Sequence, residues 1–315
     1  MKKILLVSIL LVSAFYGHIG QVCAAPIDDV NAADAKYKVE DYAIPSFTQF
    51  LIAKEAARKN PTEETVAVMN KAIAALKPYQ YPYDVVVNIN GDPTTRMAFC
   101  WYTNDRMTEG KVQLTPLADL SQLSSAFDAA SNVITVDATP TATKKSRYAI
   151  GLSGIPEATG VSMATKYKYT SHKAIAEGLT PNTVYAYRVG TEGYWSEVAY
   201  FTTAPTNNPD ASEEFTFIYM TDSHIQDQKY VNTARVAATA ATLNTPEAKF
   251  CVFPGDFVET GGNGNPEWEW ERWFEEALRP VIKQMPIVPT DGNHDDSPNL
   301  NYSYHFNTDN QFKEN

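Results

Sequence analysis

Apolar positions recur along the chain at different spacings, and the changes of spacing divide it. Across residues 25–80 the spacing is helical. Phe47, Phe50, Leu51 and the run from Lys54 to Arg58 predict one helix, and Val66, Met69, Ala72 and Ala75 line one side of a second from Thr62 to Leu76. Across residues 81–204 short alternating runs take over: Asp84–Asn88, Arg96–Tyr102, Lys111–Leu114, Asn132–Val136, Thr183–Val189 and Ala199–Thr203. Turn residues separate them, which is the pattern of a β-sandwich. Residues 205–214 are polar and rich in Pro and Asn, and read as a linker. Residues 215–315 change again. Phe215–Met220 is a continuous apolar run, as expected for a strand covered on both faces. Val231–Leu243 follows as a helix and Lys249–Phe253 as a second strand. Asn265-Pro266 opens another helix, whose Trp270, Trp273, Phe274, Ala277, Leu278, Val281 and Ile282 read as core, and Pro286–Pro289 is a third strand. Strand, helix, strand, helix, strand is the layout of a parallel sheet.

The first residues change the picture of where the chain works. Lys2 and Lys3 precede an apolar stretch from Ile4 to Phe15, and Val22-Cys23-Ala24 supplies small residues for cleavage. Residues 1–24 therefore read as a signal peptide, and the protein as secreted or periplasmic. The stretch is short for a membrane span. A lipoprotein anchored through Cys23 is the lesser alternative, because Gly20-Gln21-Val22 lacks a leucine-type lipobox start. No other segment is apolar enough for a membrane helix. Cys100 and Cys251 lie in apolar strand-like runs and read as free buried thiols rather than a disulfide framework. The 315 residues suit about two domains, and the net charge of −11 comes with no basic run. That argues against nucleic acid as a partner.

Chemistry concentrates behind the three strands. The first ends in Thr221-Asp222-Ser223-His224, the second in Pro254-Gly255-Asp256, and the third in Asp291-Gly292-Asn293-His294-Asp295. Sites in open α/β sheets form outside the carboxyl ends of strands, so Asp222, His224, Asp256, Asn293 and His294 are expected to converge. Each motif alone is commonplace in turns; all three in order are not. Two metal ions held roughly 3.5–4 Å apart can clamp a phosphoryl group and supply a nucleophile. His and Asp suit iron, manganese and zinc, and Asp256 is the natural bridging carboxylate.

Two resemblances sharpen this. Leu179-Thr-Pro-Asn-Thr-Val-Tyr185 resembles the Leu-x-Pro-x-Thr-x-Tyr stretch of fibronectin type III domains, in which the tyrosine hydroxyl bonds back to nearby backbone. Asp222-Ser-His224, Gly255-Asp256 and Gly292-Asn-His-Asp295 resemble the first three motifs of the calcineurin-like metallophosphoesterases, and a preceding sandwich is the arrangement of the purple acid phosphatases. The expected architecture is multidomain: a fibronectin type III-like β-sandwich, then a partial α/β metallophosphoesterase domain of the β/β-sandwich type flanked by helices. The resemblance implies a secreted phosphoesterase acting on small phosphate esters. It implies that Asp222, His224 and Asp256 serve one metal, and Asp256 and Asn293 the other. It implies that His294 acts on the substrate phosphate, with Asp295 orienting it.

Two departures stand out. The purple enzymes place a metal-binding tyrosine where this chain has Glu259, and usually a glycine where it has His224. A centre without a tyrosinate absorption band is therefore expected. The family also supplies later metal-binding histidines, whereas only His305 follows Asp295 here, and it reads as structural. The chain is thus expected to be truncated before the end of the phosphoesterase domain. Its runner-up reading is a non-catalytic secreted binding module with a degenerate phosphoesterase domain. A nuclease of the same metal class is weaker, for want of a basic stripe.

Overall fold

A computed structural model describes residues 25–128, 130–142, 169–206, 214–259, 267–295 and 301–308. The expected signal peptide and the Asn265-Pro266 helix start lie outside these residues.

Three helices open the fold: α1 (Pro26–Lys36), α2 (Ile44–Lys59) and α3 (Glu63–Ala74). The last two match the apolar stripes read from sequence. Thr62 caps α3, accepting from Thr65 N–H at 3.2 Å, while Thr65 Oγ1 accepts from Thr62 N–H at 3.0 Å. Helix α1 falls within the region read as helical, though no apolar stripe marks it: its mostly polar sequence buries only Val30 and Ala33. Lys54 and Arg58 of α2 both pair with its Asp34. Phe47, Phe50 and Met69 of this bundle share a core with Tyr83 and Tyr102 of the sandwich.

The sandwich has two faces. One sheet holds β3 (Lys111–Pro116), β4 (Ile134–Asp137), β7 (Val184–Thr191), β8 (Tyr194–Trp195) and β9 (Ala199–Thr202). The other brings together β1 (Tyr83–Asn88), β2 (Met97–Asn104), β5 (Thr139–Ala142) and β6 (Tyr169–Ala176). Phe99, Trp101, Val112, Leu114, Tyr187 and Phe201 fill the space between them. The Tyr185 hydroxyl accepts from Thr180 N–H at 3.0 Å, the local bond expected of that tyrosine. Strand β6 escaped the sequence reading because its middle is polar yet buried, with Ser171 and His172 both fully covered.

His172 stacks on Trp101 at 5.3 Å and meets Thr103 Oγ1 through Nε2 at 2.8 Å. Burial pushes its pKa from the usual 6.5 down to about 4. The unfolded chain therefore binds the extra proton between those values, and stability falls as pH drops through that window. We expect this group alone to remove roughly 2–3 kcal/mol between pH 7 and pH 4.5. Urea unfolding at both pH values checks it: in His172→Gln the loss should be smaller by that amount.

The remaining strands are β10 (Ile218–Tyr219), β11 (Cys251–Pro254) and β12 (Ile287–Thr290). They pair in parallel, Ile218 opposite Cys251 and Cys251 opposite Ile287. β12 then pairs in parallel with β1, Asn88 opposite Ile287, so among the described residues one seven-stranded mixed sheet in the order β10-β11-β12-β1-β2-β6-β5 runs through both regions. Helix α4 (Gln228–Asn244) starts at Asp227, whose carboxylate accepts from Lys229 and Tyr230 N–H. The aromatic helix read as continuous is instead α5 (Glu267–Arg272), a π-turn over Trp273–Ala277, and α6 (Arg279–Ile282). Its aromatic residues are core, as expected, and pack with Ile218, Cys251, Phe253 and Ile287 on one face of the sheet.

The other face corrects an expectation. Phe215–Met220 is not a strand covered on both sides: Phe215 and Tyr219 are 65% and 63% exposed, because β10 is a short edge strand whose second face no described element covers. Among the described residues this region contributes strands to one mixed sheet, in keeping with the partial domain expected. Helix α7 (Asn301–His305) lies near β2. His305 is fully buried, 4.5 Å from the rings of both Tyr102 and Trp270, with Nε2 2.9 Å from Glu267 Oε2, in keeping with the structural role expected of it. Cys100 and Cys251 are free and buried.

Candidate metal centre

The loops that follow β10 and β11 stay side by side after the strands end. Asp222 N–H donates to Gly255 O at 3.3 Å, His224 N–H to Asp256 O at 3.1 Å, and Ile225 N–H to Phe257 O at 3.2 Å. Glu259 N–H returns to Ile225 O at 3.2 Å, closing the bridge between Ile225 and Val258. This ladder holds the first two loops at a fixed offset.

The third loop is pressed against the second. A Cβ on Gly292 would lie 2.2 Å from Asp256 Oδ1, and one on Gly255 would lie 2.6 Å from Gly292 Cα. Only two glycines permit this approach. His294 N–H donates to Asp256 Oδ1 at 3.0 Å. The Asp295 carboxylate accepts from Gly292 N–H at 3.0 Å, Phe257 N–H at 2.9 Å and Val258 N–H at 3.2 Å, and so ties the loops together from beneath.

The result gathers donors. One carboxylate oxygen each from Asp222 and Asp256 and a ring nitrogen of His224 lie within 4.8 Å of one another. His224 Nε2 is 3.6 Å from Asp222 Oδ1 and 3.8 Å from Asp256 Oδ2. All three residues have left-handed backbone, with φ of +53° at Asp222, +41° at His224 and +50° at Asp256. Non-glycine residues in that region carry strain that clusters at functional sites. Two carboxylates and an imidazole are a donor set for a divalent metal ion, so the residues present fit the group that the motifs imply.

His294 sits beside this cluster, its ring edge-on to His224 at 4.7 Å between centroids. Its Nδ1 meets the Glu259 carbonyl at 2.7 Å, and that hydrogen bond leads in holding its pKa above the ordinary value. Asn293 is exposed on the same turn. Asp295 departs from the expectation that it orients His294. Its oxygens are engaged by three backbone N–H groups, and burial pushes its pKa up to about 6 against their pull. The group that orients His294 is the Glu259 carbonyl.

Glu259 is the residue that the sequence reading noted only as a departure. Its carboxylate is 2.7 Å from His224 Nδ1, and with His224 and His294 it forms a second group of donors within 4.8 Å. The signal was its place three residues after Asp256, on the stretch that continues the ladder.

Residues 82–203 match the family described as the purple acid phosphatase N-terminal domain, and residues 215–315 match the calcineurin-like phosphoesterases. Over those two regions the chain is similar to these families. The resemblance read from the three motifs is thus shown. Among solved structures, the chain is similar to purple acid phosphatase PPD1 from yellow lupin (Lupinus luteus) seeds. The two are 15% identical with a TM-score of 0.49, over 68% of this chain and 36% of that one. It is also similar to PhoD, at 18% identity and a TM-score of 0.40, over 68% of this chain and 40% of that one. The chain therefore spans less than half the length of either structure. No curated protein matches it. Among the described residues no helix is long and apolar enough to cross a membrane.

Proposed function

We propose that this chain carries residues of a two-metal centre that hydrolyses small phosphate esters. The observation that carries the reading is the convergence of Asp222, His224 and Asp256 within 4.8 Å, on three left-handed residues at the ends of parallel strands. Asp222 and His224 would hold one ion, Asp256 would bridge, and the exposed Asn293 would offer its carbonyl oxygen to the second. Such ions, iron, manganese or zinc, supply charge to stabilise the phosphoryl group and a nucleophile at neutral pH.

The chain's own residues do the rest. Asp256 keeps Oδ2 toward His224 while Oδ1 fixes the His294 backbone, so one carboxylate sets both loops. His294, with Nδ1 on a carbonyl, keeps Nε2 for a phosphate oxygen or for the proton that the leaving alcohol takes. The net charge of −11 gives no general attraction for an anion, so capture of the ester falls to the metal charge itself. The sandwich fits a fibronectin type III-like module, supported by the Tyr185 bond to Thr180. Residues 1–24 support export with cleavage behind them, and a chain that stays inside the cell with them attached would argue against that reading.

Elemental analysis after loading with iron, manganese and zinc, followed by assay on p-nitrophenyl phosphate, tests the function. We expect bound metal, hydrolysis abolished by a chelator, and no tyrosinate band in the iron form. A loaded chain that holds two ions and turns over no ester would overturn the reading.

A further inference from the structure

We infer that Glu259 is a positioning residue which sets both histidines of the centre through their Nδ1 atoms. The inference rests on the metal reading above and assigns a role that neither the motifs nor the matched families give this position.

The geometry is double. The Glu259 carboxylate takes Nδ1 of His224 at 2.7 Å, and the Glu259 carbonyl takes Nδ1 of His294 at 2.7 Å. Neither a carbonyl nor a carboxylate donates a hydrogen bond, so each imidazole carries its proton on Nδ1. In neutral His224 the lone pair is then left on Nε2. In His224 that is the nitrogen facing Asp222 and Asp256, at 3.6 and 3.8 Å. A carboxylate on the far nitrogen of a metal-binding imidazole fixes ring and tautomer, and raises the basicity of the donor.

Glu259 is itself braced. Its N–H donates to Ile225 O at 3.2 Å and to Glu269 Oε2 of α5 at 3.1 Å. Helix, ladder and both rings thus meet at one residue. A direct ligand role is the competing assignment, since His224, Glu259 and His294 group their donors closely. The 2.7 Å separation between Oε2 and Nδ1 is that of a hydrogen bond. The third donor of that group, His294 Nδ1, is 3.9 Å from Oε2 and is already bonded to the Glu259 carbonyl.

Two readouts separate these roles. The first needs no metal: long-range nitrogen–proton spectra of the full chain should show His224 as the Nδ1–H tautomer, and Glu259→Ala should shift it toward Nε2–H. The second is calorimetric titration with manganese(II) or zinc(II) alone. Glu259→Ala should weaken binding roughly 10–100-fold, the usual loss on removing an outer partner of a ligand. Glu259→Gln still accepts from Nδ1–H and should stay much closer to the parent chain. The inference is overturned if His224 is the Nε2–H tautomer in the parent chain. It is equally overturned if Glu259→Ala binds as tightly as the parent, or if Glu259→Gln loses as much as Glu259→Ala, which is the mark of a direct ligand. Should the parent chain bind neither ion, the metal reading fails while the tautomer still decides the role of Glu259. The parent spectrum needs no variant to fold.

Discussion

Asp256→Asn is expected to abolish metal binding and ester hydrolysis while leaving the fold intact. Asparagine keeps the shape of the side chain and tolerates the left-handed backbone that Asp256 adopts at φ +50°. Its amide oxygen can still accept from His294 N–H, now 3.0 Å from Oδ1, so the third loop keeps its anchor. What disappears is the charge opposite His224 Nε2 and the second equivalent oxygen that bridging requires. Metal affinity should therefore fall by more than the roughly 10–100-fold that an outer partner costs. Unfolding free energy without metal should stay within about 0.5 kcal/mol of the parent chain. Calorimetric titration, hydrolysis of p-nitrophenyl phosphate and urea unfolding give the three values. If hydrolysis survives, Asp256 is not the bridge. If the protein were instead a binding module, a partner bound by the sandwich would be held unaltered by this variant.

How much of this was legible in the sequence depends on where the information sits. The three loops of the candidate centre were legible because each follows an apolar run directly, and strand ends in an open sheet point to one place. Asp222, His224 and Asp256 accordingly converge. Asp295 was assigned by motif to His294, but its carboxylate lies under the loops, where three unpaired backbone N–H groups would otherwise be buried. No spacing rule announces that need. Glu259 was hidden for a related reason: its role comes from facing His224 across 35 positions of sequence, not from its neighbours. Strand β6 was hidden because buried Ser171 and His172 look like surface in a periodicity reading. The apolar run Phe215–Met220 misled in the opposite direction. Hydrophobicity says that a strand prefers cover, and in this chain Phe215 and Tyr219 do not receive it.

Gly255→Ala is expected to be strongly destabilising. Gly255 has φ +94°, and its missing Cβ would lie 2.6 Å from both Cα and N of Gly292. The two costs are separate. Left-handed strain on a residue with a Cβ is about 1–2 kcal/mol. Overpacking against backbone that cannot swing aside adds roughly 1–3 kcal/mol. Gly178 isolates the first, because its φ is +71° and nothing lies within 4 Å of its Cβ position. Gly178→Ala should thus cost only the strain, and the difference between the two variants measures how tightly the second and third loops are pressed together. Metal titration should move in parallel. Gly255→Ala parts Asp256 from His294 and weakens binding, whereas Gly178→Ala, on the sandwich, leaves it unchanged. Equal stability losses in the two variants would mean that the loops yield without resistance. The close approach of Gly255 and Gly292 would then not be what sets the metal-binding geometry, and the ladder from Asp222 to Glu259 would have to hold it alone.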